Sequence, residues 1–304
     1  MTNDLDRPLE DAQATLLARF APATRVRRVR WSGGETQVLE LGEGPPLLLV
    51  HGGGDAAYEW VPIMPALARH RRVLAVDRPG HGLADPFDYD GVDILVHASL
   101  FLGSVLDALE IPTADLVANS IGGLWSVAFA LDHPDRVERL VLAGHPPGVT
   151  RDAPLPLRVL GLPIVGKPIG RVVLGRPSRE RNRKFWGEAL VAHPERLADE
   201  LLDVDVEHMR RNRDSALSLV RRVVGPRGVR RELMLDDRWR ILSVPTLFLY
   251  GDRDAFVTSK VVATWEAIAA SNTSVRIARV PGAGHLPWLD EPQLVLDEIE
   301  RFLA

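Results

Sequence analysis

The sequence predicts an α/β protein with a mostly parallel central sheet flanked by helices and a helical segment inserted near its middle. Three observations predict it. Short, unbroken apolar runs such as Leu47-Leu48-Leu49-Val50 suit strands buried on both faces of a parallel sheet. These runs alternate with longer stretches of helical periodicity. Each run also stops abruptly at glycine or a polar residue, where an open α/β sheet places its ligand site.

Apolar positions Leu5, Leu9, Leu16, Leu17 and Phe20 predict a helix over residues 1–20. Val26 to Trp31 and Gln37 to Leu41 read as strands joined by a hairpin turn at Ser32-Gly33-Gly34-Glu35. After the Leu47 to Val50 strand come a strand at Val73 to Val76, a helix at Leu95 to Leu109 and a strand at Asp115 to Ala118. A helix at Ile121 to Leu131 and a strand at Leu140 to Ala143 follow. The alternation then breaks. Residues 146–240 hold no convincing strand run, are rich in arginine and proline, and show helical stretches around 178–192 and 195–222. It resumes with a strand at Pro245 to Tyr250, a helix from Ser259 to Ala270, a strand at Ser274 to Val280 and a helix at Gln293 to Leu303. The expected division is a core domain of residues 1–145 and 241–304, with a helical cap of residues 146–240.

The 304 residues suffice for one large core with an insertion, and 46% hydrophobic with 26% charged residues is an ordinary globular balance. A net charge of −4 gives no reason to expect nucleic acid as a partner. The lack of cysteine excludes disulfides, thiolate zinc sites and a cysteine nucleophile, and fits a reducing compartment. The acidic start Met-Thr-Asn-Asp-Leu-Asp is unlike a secretory signal, and no apolar run has the length of a membrane span. The expectation is a cytoplasmic monomer or homodimer that meets a small molecule and no membrane. The nine histidines show no metal-ligand spacing and no glycine motif suits a dinucleotide, so neither metal nor cofactor is expected.

His51-Gly52-Gly53-Gly54, Asp77-Arg78-Pro79-Gly80-His81-Gly82, Asn119-Ser120, Asp254 and His285 all follow strands. A serine, an acid and a histidine thus occur in that chain order at strand ends, an order this architecture uses for nucleophilic catalysis. In these residues the chain resembles the α/β-hydrolase family, and the resemblance covers nearly the whole chain. Ala118-Asn119-Ser120-Ile121-Gly122 matches the family's G-x-S-x-G nucleophile elbow, with Ala118 in place of the first glycine. The resemblance implies Ser120 as nucleophile, His285 as general base and Asp254 as the acid that orients the base, with Asp252 as the competing acid. The backbone N–H of Ile121 and that of Gly53, with Gly54 as the alternative, would hold the oxyanion.

Simpler readings compete for other residues. A serine after a strand is often a helix cap, and a lone loop histidine is often merely solvated. His51, Asp77 and His81 read as residues that fix loops. Trp288 reads as packing at the start of the last helix. Trp125 divides evenly between core and pocket wall. Gly54, Trp125, Trp186 and Met209 are the candidate substrate contacts, while Trp186, His208, Met209 and Trp239 are each explained singly by packing.

The expected activity is hydrolysis of a carboxylic ester or related carbonyl compound through an acyl-enzyme. The run Asn119-Ser120-Ile121-Gly122-Gly123 is also similar to carbon–carbon hydrolases of meta-cleavage products. That group usually carries tryptophan after the catalytic histidine, and this chain has Leu286 there. A ligand receptor built on the same fold is the third reading. The apolar stretch Leu155 to Leu174, broken by Pro156, Pro163 and Pro168, predicts a hydrophobic entrance.

Overall fold

The computed structural model describes residues 6–304, so Leu5 of the first expected helix lies outside the described residues. Helix α1 (Asp6–Phe20) precedes the hairpin of β1 (Arg25–Trp31) and β2 (Gly34–Leu41). Then come β3 (Pro46–Val50), β4 (Arg72–Val76), α2 (Ile94–Ala108), β5 (Ala114–Asn119), α3 (Ser120–Asp132) and β6 (Val137–Ala143). The inserted segment holds α4 (Leu155–Leu160), α5 (Gly166–Val173), α6 (Arg179–Ala189) and α7 (Asp199–Val223). The chain closes with β7 (Thr246–Gly251), α8 (Ser259–Ser271), β8 (Val275–Val280) and α9 (Pro292–Leu303).

The eight strands form one sheet in the order β1-β2-β4-β3-β5-β6-β7-β8. The pairs β1–β2 and β2–β4 are antiparallel, and every pair from β4 to β8 is parallel. Alternation of side chains splits the strands between two cores. Leu48, Val50, Leu74, Leu116, Ala118 and Leu142 face one layer with α2, α3 and α8. Leu47, Leu49, Val73, Val117, Val141 and Leu249 face the other with α1 and α9. Burial on both faces explains why these strands read as unbroken apolar runs rather than alternating ones.

Local chemistry sets the helix starts. Asp93 caps α2 by accepting from the N–H groups of Leu95 and Val96, and Thr258 caps α8 through Val261. The inserted segment differs from the strand-free expectation by one short ribbon, Val224–Gly225 against Gly228–Val229. Its turn needs Gly228, whose φ is 97° and whose added Cβ would fall 1.9 Å from the Arg151 carbonyl oxygen. Two residues per strand are too few to leave a periodicity. No helix of the described residues is long and apolar enough to cross a membrane.

Candidate active site

Strand β5 is flanked by β3 and β6 and ends at Asn119. The next residue, Ser120, has φ 49°, a left-handed conformation that side chains rarely adopt. Such a residue costs about 1–3 kcal/mol and persists only where its surroundings over-determine it. Gly122 provides that constraint. A Cβ there would lie 2.4 Å from the His51 carbonyl oxygen and 2.5 Å from that of Val50, so α3 starts hard against the end of β3. Ala118, in place of the first elbow glycine, is fully buried in the sheet.

His285 lies between β8 and the turn Pro287–Asp290, and its Nδ1 is 2.8 Å from Asp254 Oδ2. Asp254 Oδ1 accepts from the Phe256 N–H at 2.8 Å. Burial pushes the Asp254 carboxyl up, but His285 beside it and these hydrogen bonds outweigh burial and hold it below the usual carboxylate range. Asp254 is therefore ionised at neutral pH and fixes the proton of His285 on Nδ1, leaving Nε2 for another partner. Ser120 and His285 line the same cavity. The Ser120 hydroxyl forms no hydrogen bond among the described residues. Asp252 is directed elsewhere, accepting from the Gly282 N–H at 2.8 Å.

The glycine run after β3 passes over the elbow. A Cβ on Gly52 would lie 2.4 Å from Asn119 Oδ1, and one on Gly53 would lie 2.7 Å from Ile121 Cδ1. Gly53 and Ile121 are thus direct neighbours, and the Ile121 N–H belongs to the first turn of α3, where a helix supplies no internal acceptor. His51 holds the run from below. Its Nδ1 donates to the Gly52 carbonyl at 2.9 Å and its Nε2 accepts from the Arg78 N–H at 2.9 Å. Asp77 clamps three segments by accepting from Ala57, Leu83 and Gln37. His81 contacts the carbonyls of Pro79 and Gly53.

Asp55, Asp205 and Asp290, which the sequence did not mark, complete the site together with Asn119 and His208, whose partners it did not show. Asn119 Nδ2 donates to the carbonyls of Ala143 at 2.7 Å and His285 at 3.0 Å, tying the two loops together. Asp290 accepts from the N–H groups of Ala192, His193 and Gly284, which fastens the His285 loop to the inserted segment. His208 on α7 donates from Nε2 to the Gly54 carbonyl at 3.0 Å and accepts at Nδ1 from the Gly82 N–H at 3.2 Å. Asp205, also on α7, accepts from Tyr58 at 2.8 Å, Asn182 at 2.6 Å and Trp186 at 3.0 Å. Burial pushes the Asp205 carboxyl up to about 6, and burial with the nearby Asp205 charge pushes Asp55 up to about 7. Residues 55 and 205 are 150 positions apart, so no local signal joins them.

The cavity has a volume of about 640 Å³. Its polar end is formed by Ser120, His285, Asp55 and Asp205; the rest is lined mainly by apolar residues of the inserted segment, Leu157, Leu160, Val173 and Leu217 among them. Gly54, Trp186 and Met209 lie on its wall. Trp125 is corrected: it lines no part of this cavity. It sits one helical turn beyond Ile121, fully buried, with Arg78 over its ring at 5.0 Å and His97 edge-on at 5.3 Å. Trp239 packs on Phe248 in the core, and Trp288 stacks on Trp60 with ring centroids 3.9 Å apart.

Residues 47–298 match the model of the alpha/beta hydrolase family. The chain is 45% identical to a 2-hydroxy-6-oxo-2,4-heptadienoate hydrolase of Pseudomonas putida over 123 residues, 39% of this chain and 44% of that protein, so it spans less than half of that relative's length. It is 30% identical over 219 residues, 71% of this chain and 72% of the relative, to a 2-hydroxy-6-oxononadienedioate/2-hydroxy-6-oxononatrienedioate hydrolase of Cupriavidus pinatubonensis. Its fold is similar to the crystal structure of the carboxylesterase CesB (YbfK) from Bacillus subtilis, with a TM-score of 0.79, 20% identity and 99% of each chain covered. The chain belongs to the alpha/beta hydrolase family.

Proposed function

We propose that the protein hydrolyses a carboxylic ester of small to medium size, with Ser120, His285 and Asp254 as catalytic triad. One observation carries the reading: a buried aspartate–histidine pair opens on the same cavity as a serine held at positive φ. Ser120 Oγ adds to the carbonyl carbon while its proton passes to His285 Nε2. The oxyanion is met by the N–H groups of Gly53 and Ile121. His285 returns the proton to the departing alkoxide and an acyl-enzyme remains. Water then adds to it, giving its proton to His285, and collapse releases the acid and restores Ser120. The Ser120–His285 contact closes once substrate excludes water, as such bonds tighten in the Michaelis complex. The inserted segment acts as a cap whose apolar lining takes the acyl or alcohol group.

Carbon–carbon hydrolysis is the second reading, favoured by the activities named for the Pseudomonas and Cupriavidus relatives. Against it stands Leu286, where that group usually carries a tryptophan after the catalytic histidine. Turnover of short p-nitrophenyl esters, and of a vinylogous 1,5-diketone, is the test. Ser120→Ala is expected to lower ester turnover by about 10³- to 10⁶-fold and to abolish labelling by a fluorophosphonate. Unchanged ester turnover in that variant overturns the mechanism, loss of the coloured enolate with no ester cleavage favours the second reading, and a wild type that takes no label and turns over neither substrate favours a receptor.

A further inference from the structure

Helix α5 is amphipathic in the wrong direction for a soluble cap. Its small face is buried: Gly166 and Gly170 pack inward, and a Cβ on Gly170 would fall 2.4 Å from Leu217. Its apolar face turns outward. Val165, Ile169, Val172 and Val173 fall within about a quarter of the helix circumference at 100° per residue. They are 45%, 36%, 79% and 54% exposed, and the adjoining Ile164 is 86% exposed. Isolated exposed aliphatics are ordinary, but a contiguous set on one short segment marks an interaction surface.

Two further features indicate what covers it. Residues 154–177 contain Arg158, Lys167, Arg171 and Arg176 and no acid, in a chain whose net charge is −4. Arg171 is paired with Asp214, and Arg158 donates to the Pro226 carbonyl. Neither of these contacts removes the positive charge of Lys167, Arg176 or Arg158. The same patch also borders the cavity, because Leu155, Ile169, Val173 and Phe185 are at once exposed and part of its lining. A molecule dissolved in an apolar phase against this face would enter the cavity without crossing water.

We propose that this face of the cap docks on an anionic lipid surface, so that the enzyme takes its substrate from the membrane–water interface. Exposed aliphatics would enter the headgroup–acyl boundary and the flanking bases would meet lipid phosphates. Such docking needs no membrane-spanning helix. The proposal does not rest on the catalytic one, since binding is read without turnover and Ser120→Ala should dock as the wild type does.

The test is flotation of the full chain with vesicles of equimolar phosphatidylglycerol and phosphatidylcholine, and with phosphatidylcholine alone. Ile164→Glu and Val172→Glu alter exposed residues outside the cavity lining, so folding and turnover of a soluble short ester should stay within about twofold of wild type. The wild type is expected to float with the anionic vesicles, less so at high salt, and each variant to partition about tenfold less. A wild type that does not float, or variants that float equally, overturns the proposal. So does a wild-type dimer, by light scattering, that Val172→Glu dissociates, because the face then belongs to a second copy of the chain.

Discussion

Around Ser120 and His285, position is imposed by backbone and buried polar contacts. Ser120 is pinned by the close approach of Gly122 to β3, and His285 by Asp254, Asn119 and the Asp290-clamped loop. At the mouth, α4 and α5 carry apolar side chains that are as much outside as inside. The difference teaches where precision is needed. Atoms that exchange protons must be held to within fractions of an ångström, whereas a surface that admits apolar groups needs only shape and chemistry. The two ends should therefore respond to substitution very differently.

After loss of Ser120 itself, the largest effect is expected at Asp254. Asp254→Asn keeps the shape but lets the His285 ring choose the wrong tautomer, and ester turnover should fall by about 10³- to 10⁴-fold. Asp252→Asn, whose partner is the Gly282 N–H on an exposed loop, should leave turnover within about threefold. Equal losses in the two variants would mean that the Asp254–His285 contact is structural and that another carboxylate orients the base.

A smaller effect separates crowded from open glycine. Gly122→Ala puts a methyl group against two backbone carbonyl oxygens, that of Val50 at the end of β3 and that of His51 just beyond it, so thermal or urea unfolding should show a loss of about 2–4 kcal/mol. A Cβ on Gly54 meets nothing within 4 Å. Gly54→Ala should change stability by less than about 0.5 kcal/mol and act on KM rather than on folding. A Gly122→Ala protein as stable as wild type would remove the physical account of the Ser120 conformation.

The same contrast explains what the sequence made legible. Parallel strands buried on both faces leave apolar runs, and a strained elbow demands small neighbours, so β3 to β7, Ser120 and the glycine loop are visible in the chain itself. Asp254 is preferred over the competing Asp252 only through the family resemblance, because which of two loop carboxylates turns inward depends on β8 lying beside β7. Trp125 divided between core and pocket because helical spacing fixes the face but not how far a turn lies from the strand ends. Asp55, Asp205 and His208 were invisible as a group, since they meet only when α7 packs over the loop after β3. The apolar stretch that holds α5 reads in sequence as a hydrophobic entrance; only the burial of Gly166 and Gly170 shows which way the helix turns.

The smallest effect concerns Asp55, which lines the cavity with Asp205, Ser120 and His285 and is pushed further toward neutrality than Asp205. Burial pushes Asp55 up to about 7, and neighbouring Asp205 adds to the rise, while His285 and Arg78 oppose it. Below that value Asp55 is neutral; above it, a negative charge lines the cavity that Ser120 and His285 also line. Inhibition by a carboxylate product should therefore weaken about three- to tenfold as pH rises through 7 in wild type, and stay flat in Asp55→Asn. Stability carries the matching sign. A carboxyl whose folded value is raised above 3.8 binds its proton more tightly when folded, and that contribution is lost as pH climbs from about 4 through about 7. Asp55→Asn should accordingly gain melting temperature relative to wild type at alkaline pH and show little gain in acid. A variant whose product inhibition still weakened above neutrality would place that titration on another group and leave Asp55 as a buried carboxyl beside Asp205 with no part in it.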